Sequence, residues 1–383
     1  MKIIHLVLGK ANPERMNGVN KVVNQMAIQQ KKQGYDVSVW GFTNDLAHNY
    51  PDRNFETLLF QAYKNLFYVG KDFIKALASL NPSETVFHLH GGFIPTWFTV
   101  SKFLKQSGFR FIFTPHGSYN IIARKKNAFR KNMYFRFFEK PLLKKADYIH
   151  CLGASEIDGL HSIFPNTKSQ LIPYGFESKT DSTSDTHALT HKNQFIVGFC
   201  GRLDIYTKGL DIAVEGFFHF LEKNPCSGTF WIIGDSLEKA FLELKVAKMG
   251  LQSQVKFFGS VFGEEKEKLL RQMTVFLHPS RNEGLPTAVL EACSLGIPSI
   301  VSQETNMAGY IGTNKAGVAL AENNSVCIAE ALEKLYKKYL SETLTELQEN
   351  AINMVQTDFA WENVVNRLND LYETTPCPKT TAL

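Results

Sequence analysis

Apolar residues in the first half of the chain recur in short dense runs, separated by segments with helical spacing. The runs Lys2–Leu8, Asp36–Gly41, Thr85–Leu89, Arg110–Thr114, Tyr148–Leu152 and Gln170–Ile172 read as strands. Helical patterns fall between them at Gly18–Gln33, Leu66–Ser79, Pro95–Gln106, Ala128–Lys145 and Ser155–Ile163. Strands and helices in alternation build a parallel sheet covered on both faces. The stretch 178–193 is polar, poor in apolar residues, and reads as an interdomain linker. The alternation then resumes at Gln194–Cys200, Thr229–Gly234, Val255–Phe258, Thr274–His278, Pro298–Val301 and Gly317–Leu320. The pattern predicts an α/β chain with two tandem Rossmann-like domains, 1–177 and 194–357. An apolar-faced helix follows through Tyr372, and 376–383 forms a frayed tail.

A chain of 383 residues is long enough for two domains with separate cores. The net charge of +5 is too small to argue for nucleic acid, and no nucleic-acid partner is expected. The six cysteines (151, 200, 226, 293, 327 and 377) form no CxxC pair and no zinc spacing. Cys151, Cys200 and Cys293 lie in apolar runs, as suits a reducing cytosol. The run Met1–Gly9 is too short for a signal sequence and reads as the first strand. No run approaches the roughly 18 apolar residues of a membrane span, so a soluble or peripheral chain is expected.

Two segments carry candidate chemistry. In Arg281-Asn282-Glu283-Gly284-Leu285-Pro286-Thr287-Ala288-Val289-Leu290-Glu291-Ala292, a strand leads into a Gly-Leu-Pro turn lying between two glutamates that are separated by seven residues. Pro286 suits the first helical position, and the free N–H groups of the helix that follows would attract an anion or hydroxyl. Two carboxylates beside such a helix start suit neutral sugar or ribose hydroxyls next to a phosphate. In Gly201-Arg202-Leu203-Asp204-Ile205-Tyr206-Thr207-Lys208-Gly209-Leu210-Asp211, a tight turn precedes two cations, and Asp211 is a candidate cap for a helix over Ile212–Glu222. Alone, that loop is equally well an ordinary solvated one. With the glutamate segment three strands later, a diphosphate site is the better reading. Neither domain carries G-x-G-x-x-G, which counts against a dinucleotide oxidoreductase.

Arg202 and Lys208-Gly209, followed about eighty residues later by Glu-Gly-Leu-Pro-(x)4-Glu-Ala, resemble the retaining glycosyltransferases of family 4. The resemblance spans most of the chain. Asn17-Gly18-Val19-Asn20 resembles the family's glycine loop with Asn17 in place of its first glycine. Thr114-Pro115-His116-Gly117-Ser118 resembles its histidine segment, and Phe359-Ala360-Trp361 the start of its last helix. The resemblance implies the GT-B fold, two Rossmann-like domains facing a cleft, with 358–375 returning to the first domain. It implies that Arg202 and Lys208 hold the donor diphosphate and that Glu291 binds the ribose. Glu283 with the backbone of Gly284, Leu285, Pro286 and Thr287 would hold the sugar and distal phosphate. His116 would contact the sugar, and Gly18 would let backbone approach phosphate. The implied donor is a nucleotide diphosphate sugar, UDP favoured and GDP possible, with the base read around Val261. The cationic pair would replace Mg²⁺; no metal or cofactor is expected, and no Asp-x-Asp motif appears.

Other residues are weaker candidates. His88 reads as a strand-end histidine satisfied by backbone, His278 as structural, and His90 and Asn20 as acceptor-side groups. Between Asn120 and Lys145, nine basic residues, among them Arg124, Lys125, Lys126, Arg130 and Lys131, accompany a single acid, Glu139, with aromatics interleaved. Such a helix suits an anionic membrane surface, although part of its aromatic set must enter the core. The expectation is a cytoplasmic enzyme, peripheral on the inner face of the cell membrane. It would transfer a hexose to a glycan acceptor on a lipid in bacterial surface polysaccharide synthesis. A nucleotide-sugar epimerase and a non-catalytic nucleotide-sugar-binding partner are the rivals.

Overall fold

The computed structural model describes residues 1–12, 18–47, 50, 53–120, 127–177, 194–225 and 228–374. The proposed linker and tail lie outside them. Two compact units result: Met1–Gly175 with the segment from Trp361, and Phe176–Ala360.

Unit 1 is built from β1 (Lys2–Leu8), α1 (Gly18–Lys32), β2 (Asp36–Thr43), β3 (Glu56–Gln61), α2 (Lys71–Ala78), β4 (Thr85–His90), α3 (Pro95–Gln106) and β5 (Arg110–Thr114). Then α4 (Ala128–Tyr134) runs through a π-helical turn (Phe135–Glu139) into α5 (Lys140–Lys145), followed by β6 (Tyr148–Cys151), α6 (Ala154–His161) and β7 (Ser169–Leu171). The seven strands lie in the order β3-β2-β1-β4-β5-β6-β7, all parallel. Alternate residues of β1 point to opposite faces. Ile4 and Leu6 pack with Phe73, Trp97 and Leu104 on one side. Ile3 and Val7 pack with Val23 and Met26 of α1 on the other.

Unit 2 comprises β8 (Ile196–Cys200), α7 (Ile205–Lys208), α8 (Leu210–Lys223), β9 (Thr229–Ile233), α9 (Lys239–Lys248), β10 (Val255–Gly259), α10 (Gly263–Gln272) and β11 (Val275–His278). It continues through α11 (Thr287–Ser294), β12 (Ser299–Val301), α12 (Ala308–Thr313), β13 (Gly317–Ala319), α13 (Ser325–Leu340) and α14 (Thr345–Asp358). Its order, β10-β9-β8-β11-β12-β13, is the doubly wound arrangement with a switch point between β8 and β11.

The last helix, α15 (Trp361–Thr374), belongs to unit 1. Its Trp361, Val364, Val365, Leu368 and Tyr372 join the layer under α1. Gly175 admits the indole of Trp361, because a Cβ there would come within 2.2 Å of the ring. The boundary falls at that point, since Phe176 donates its N–H to the Phe359 carbonyl of unit 2 at 2.7 Å.

Three features of unit 1 are not carried by the sequence pattern. The strand Glu56–Gln61 was not foreseen: it is an edge strand with most side chains exposed or half-exposed, so no dense apolar run marks it. The second helix begins at Lys71 rather than Leu66, because Gly70 is extended. The single acid of the basic helix, Glu139, is buried at the π-turn, accepting from the Phe93 N–H at 2.7 Å and the Tyr119 hydroxyl at 2.8 Å.

Candidate active site

The loops at the switch point of unit 2 leave the carboxyl ends of β8 and β11, where open α/β sheets bind ligands. Gly209 brings them together. It has φ +67°, and a Cβ there would lie 2.0 Å from the Pro279 carbonyl oxygen, so only glycine lets the two backbones touch. Arg281 completes the junction. Its N–H donates to Thr207 O at 2.8 Å, and its guanidinium holds both Asp211 oxygens at 2.8 and 2.9 Å. Asp211 therefore lies within α8, which starts at Leu210 after Gly209, and does not cap it. The capping side chain nearby is Asp204, accepting from Thr207 N at 3.1 Å.

At this junction Lys208 bonds the Glu283 carboxylate, and both side chains are mostly buried. Ser280 Oγ donates to the same Glu283 oxygen at 3.1 Å, and His278 Nε2 lies 3.0 Å from it. Burial opposes ionisation of Glu283, but the His278 hydrogen bond and Lys208 prevail and hold the carboxyl down at about 2. Burial pushes His278 below its usual value in spite of Glu283, so the ring is neutral and its Nε2–H donates. The ring stacks on Phe199 and Phe276, at 5.4 and 6.0 Å between centroids. The structural role of His278 is to orient Glu283. Its spacing, five residues before Glu283 at a strand end, was the available signal. Asn306 was missed. Its amide holds the Glu283 and Gly284 carbonyls at 2.9 and 2.7 Å, fixing the turn.

The remaining candidates are placed separately. Arg202 is 73% exposed along its side chain and lies 3.6 Å from Asp204. Glu291, inside α11, pairs with Lys266 of α10 at 2.7 Å, a partner the sequence reading did not name. Pro286 is the cap residue of α11 rather than its first helical residue, and Thr287 follows it exposed. Leu285 and Val261 are half-buried against the core of unit 2.

In unit 1, Gly18 opens α1, and Asn17 lies outside the described residues. Asn20 is buried, its amide donating to Leu8 O at 3.3 Å. His90 and His116 are joined, Nδ1 to Nε2, at 3.0 Å, and the second His116 nitrogen meets the Tyr174 hydroxyl. His88 is satisfied by side chains rather than backbone, Tyr372 at 2.7 Å and Thr114 at 2.6 Å. His5, His88 and His90 stand close enough to surround an ion. All six of their ring nitrogens are nevertheless engaged in hydrogen bonds.

Arg124, Lys125 and Lys126 lie outside the described residues. Arg130 is exposed, and Lys131 sits over the Phe93 ring at 5.6 Å. The large apolar residues of this helix divide. Phe135 enters the core, whereas Phe129, Met133 and Phe137 form an outward stripe, 79%, 46% and 53% exposed.

Residues 182–354 match the family described as Glycosyl transferases group 1, and residues 16–179 match Glycosyltransferase Family 4. The chain belongs to glycosyltransferase family 4 and has the GT-B fold. This family 4 chain is similar to the gpi3 component of phosphatidylinositol N-acetylglucosaminyltransferase in Schizosaccharomyces pombe, 24% identical over 168 residues, 44% of this chain and 36% of that protein. It is also similar to the O-antigen biosynthesis glycosyltransferase WclY of Escherichia coli, 29% identical over 153 residues, 38% and 40% of the two chains. The matches thus span less than half the length of these curated relatives. Anabaena HepE, solved in complex with UDP and glucose, has the same fold: TM-score 0.68 over 98% of this chain and 100% of that one, at 14% identity.

Proposed function

We propose that this chain is a retaining hexosyltransferase. It moves a sugar from a nucleoside diphosphate, UDP in the first instance, to a glycan acceptor carried on a lipid, in bacterial surface polysaccharide assembly. The observation that carries the reading is the buried Lys208–Glu283 pair at the switch point of unit 2. A cation and a carboxylate in one pocket suit a ligand that is anionic at one end and hydroxylated at the other. The donor diphosphate would draw Lys208 away from Glu283, with Arg202 adding charge from the loop, and the freed carboxylate would accept sugar hydroxyls. Lys208 then stabilises the charge that develops on the departing diphosphate. Such donors typically contribute about 2.7–4 kcal/mol to the transition state. As the C1–oxygen bond to the phosphate breaks, the acceptor oxygen bonds to C1 on the same face and passes its proton to the leaving phosphate oxygen. The two cations make a divalent metal unnecessary for this step.

Support for the donor comes from the UDP and glucose bound to HepE. The surface-polysaccharide acceptor follows the O-antigen relative, and the lipid carrier follows the phosphatidylinositol relative together with the exposed Phe129–Met133–Phe137 stripe. The protein would act on the inner face of the cell membrane; no described helix is long and apolar enough to cross it.

Thermal shift with UDP-, GDP- and ADP-sugars tests the donor site, with release of the nucleoside diphosphate as the activity readout. One donor class should stabilise the wild type. Glu291→Ala should lose most of that shift, whereas Glu283→Ala should keep it and lose turnover. No stabilisation by any nucleotide rejects the reading, and donor consumption to an epimer without acceptor replaces it with isomerisation.

A further inference from the structure

Unit 1 buries four histidines in an otherwise apolar layer and half-buries a fifth, His116, beside it. His5 on β1, His88 and His90 on β4, Thr114 on β5 and His150 on β6 share the face covered by α1 and α15, crossing four adjacent strands. Their hydrogen bonds form one continuous file, and the file has a fixed end. The Ile172 carbonyl can only accept, so His150 donates to it from Nε2 at 2.7 Å. Burial pushes His150 down to about 4, so the ring is neutral and its Nδ1 accepts from the Thr114 hydroxyl at 2.8 Å. That hydroxyl has one proton, so it accepts from His88 Nε2 at 2.6 Å, and His88 Nδ1 accepts from Tyr372 at 2.7 Å. Tyr372 in turn accepts from the Gln30 amide at 3.4 Å, which turns Gln30 Oε1 toward His5 Nε2 at 2.7 Å. His5 Nδ1 therefore accepts from His90 Nε2 at 2.9 Å, and His90 Nδ1 from His116 Nε2 at 3.0 Å. His116 Nδ1 is left to accept from Tyr174. Burial pushes His5 and His116 down as well, to about 4 and 3, and His88 and His90 well below their usual value.

We infer that this file is a tautomer-setting relay, in which the Ile172 carbonyl, through Gln30 and Tyr372, fixes His116 as an Nε2–H ring whose Nδ1 is a hydrogen-bond acceptor. Reversing any member before Ile172 would set two acceptors or two donors face to face in a buried layer, at the cost of an unmade hydrogen bond. The relay has a consequence for ligand chemistry. Whatever replaces the Tyr174 hydroxyl at His116 must donate a proton, so a sugar hydroxyl fits and a phosphate oxygen does not. That consequence rests on the proposed transferase reading; the tautomers do not. His5, Gln30, His88, His90, Thr114, His150 and Tyr372 are positioning residues, since they act on His116 rather than on substrate.

The same file argues against an ion among His5, His88 and His90, because coordination would have to break its bonds. Long-range 1H–15N spectra of the histidine side chains, on full-length protein between pH 6 and 8, test the relay. The wild type should show five neutral rings, all protonated at Nε2. Tyr372→Phe removes one oxygen and lets Gln30 turn over, so His116 should then show a mixed pattern although Tyr372 does not touch it. His150→Phe, which breaks the file at its anchored end, should do the same and serves if the first variant does not fold. In steady-state assays these variants should lower kcat more than they raise KM for the donor. Wild-type His116 protonated at Nδ1 or charged, stoichiometric zinc bound by these rings, or a His116 pattern unmoved in both variants would each overturn the proposal. Absence of transferase activity with an intact tautomer pattern would instead count against the transferase reading alone.

Discussion

Lys208 and Glu283 hold each other's charge in a site that excludes most water, so removing either leaves an uncompensated ion. Breaking such a pair costs about 3–5 kcal/mol when burial is complete. Partial exposure of both side chains places Lys208→Met near the lower end, about 3 kcal/mol. Lys208→Met combined with Glu283→Gln should be less destabilised than the two single losses added, with a coupling of about 1–3 kcal/mol measurable in a denaturant cycle. Additive losses would show the pair to be structurally idle. The sign with pH follows from Glu283, whose carboxyl is held at about 2 in the folded chain against an ordinary 4.5. Its contribution is complete above the ordinary value and disappears as pH falls through 2, so the wild type's advantage over Glu283→Gln should shrink on acidification below about pH 5. Both ends of this pair were legible in the sequence, because loop charges beside glycines and a proline stand out. Lys266 and Asn306 were not, since each is ordinary at its own position and gains meaning only when folding sets it beside a glutamate or a carbonyl.

The strands and the helix between Ala128 and Lys145 show which elements a pattern can announce. Strands β4, β5 and β8 are buried on both faces; β8 appears as an unbroken apolar run, and β4 and β5 as dense apolar runs with polar residues such as His88 and Thr114 among them. The edge strand β3 has no such run and was invisible. The histidine file escaped for a related reason: His5, His88 and His150 each look like an isolated strand residue, and the parallel register alone aligns them. Burial of Glu139 was equally hidden, because a π-turn displaces residues from the 3.6-residue period. The exposed stripe of this helix leads to a prediction. With Phe129, Met133 and Phe137 outward and basic residues alongside, each cation should contribute about 1 kcal/mol near an anionic bilayer. Arg130→Gln with Lys131→Gln should therefore weaken sedimentation with phosphatidylserine vesicles about 30-fold. Equal partitioning of the wild type and the variant would reject membrane docking through this helix.

Over the whole molecule, the chain passes from unit 1 to unit 2 and back, and each unit keeps its own hydrophobic core. The core of unit 1 depends on the last helix, so loss of α15 would uncover Ile3, Val7 and Val23 even though they lie at the opposite end of the sequence. The proposed donor groups Lys208, Glu283 and Glu291 all belong to unit 2, whereas the relay belongs entirely to unit 1. Separate cores allow separate unfolding transitions, and a ligand stabilises only the state it binds. UDP at 100 times its dissociation constant should add about 2.7 kcal/mol to unit 2. For a domain of this size that raises its transition by roughly 5–10 °C. The unit 1 transition should stay in place, whereas Tyr372→Phe should lower it and leave the UDP-dependent rise of the other intact. Calorimetry of the full chain resolves the two assignments. A UDP shift confined to the transition that Tyr372→Phe lowers would place the nucleotide in unit 1 and remove Lys208 and Glu283 from the donor site.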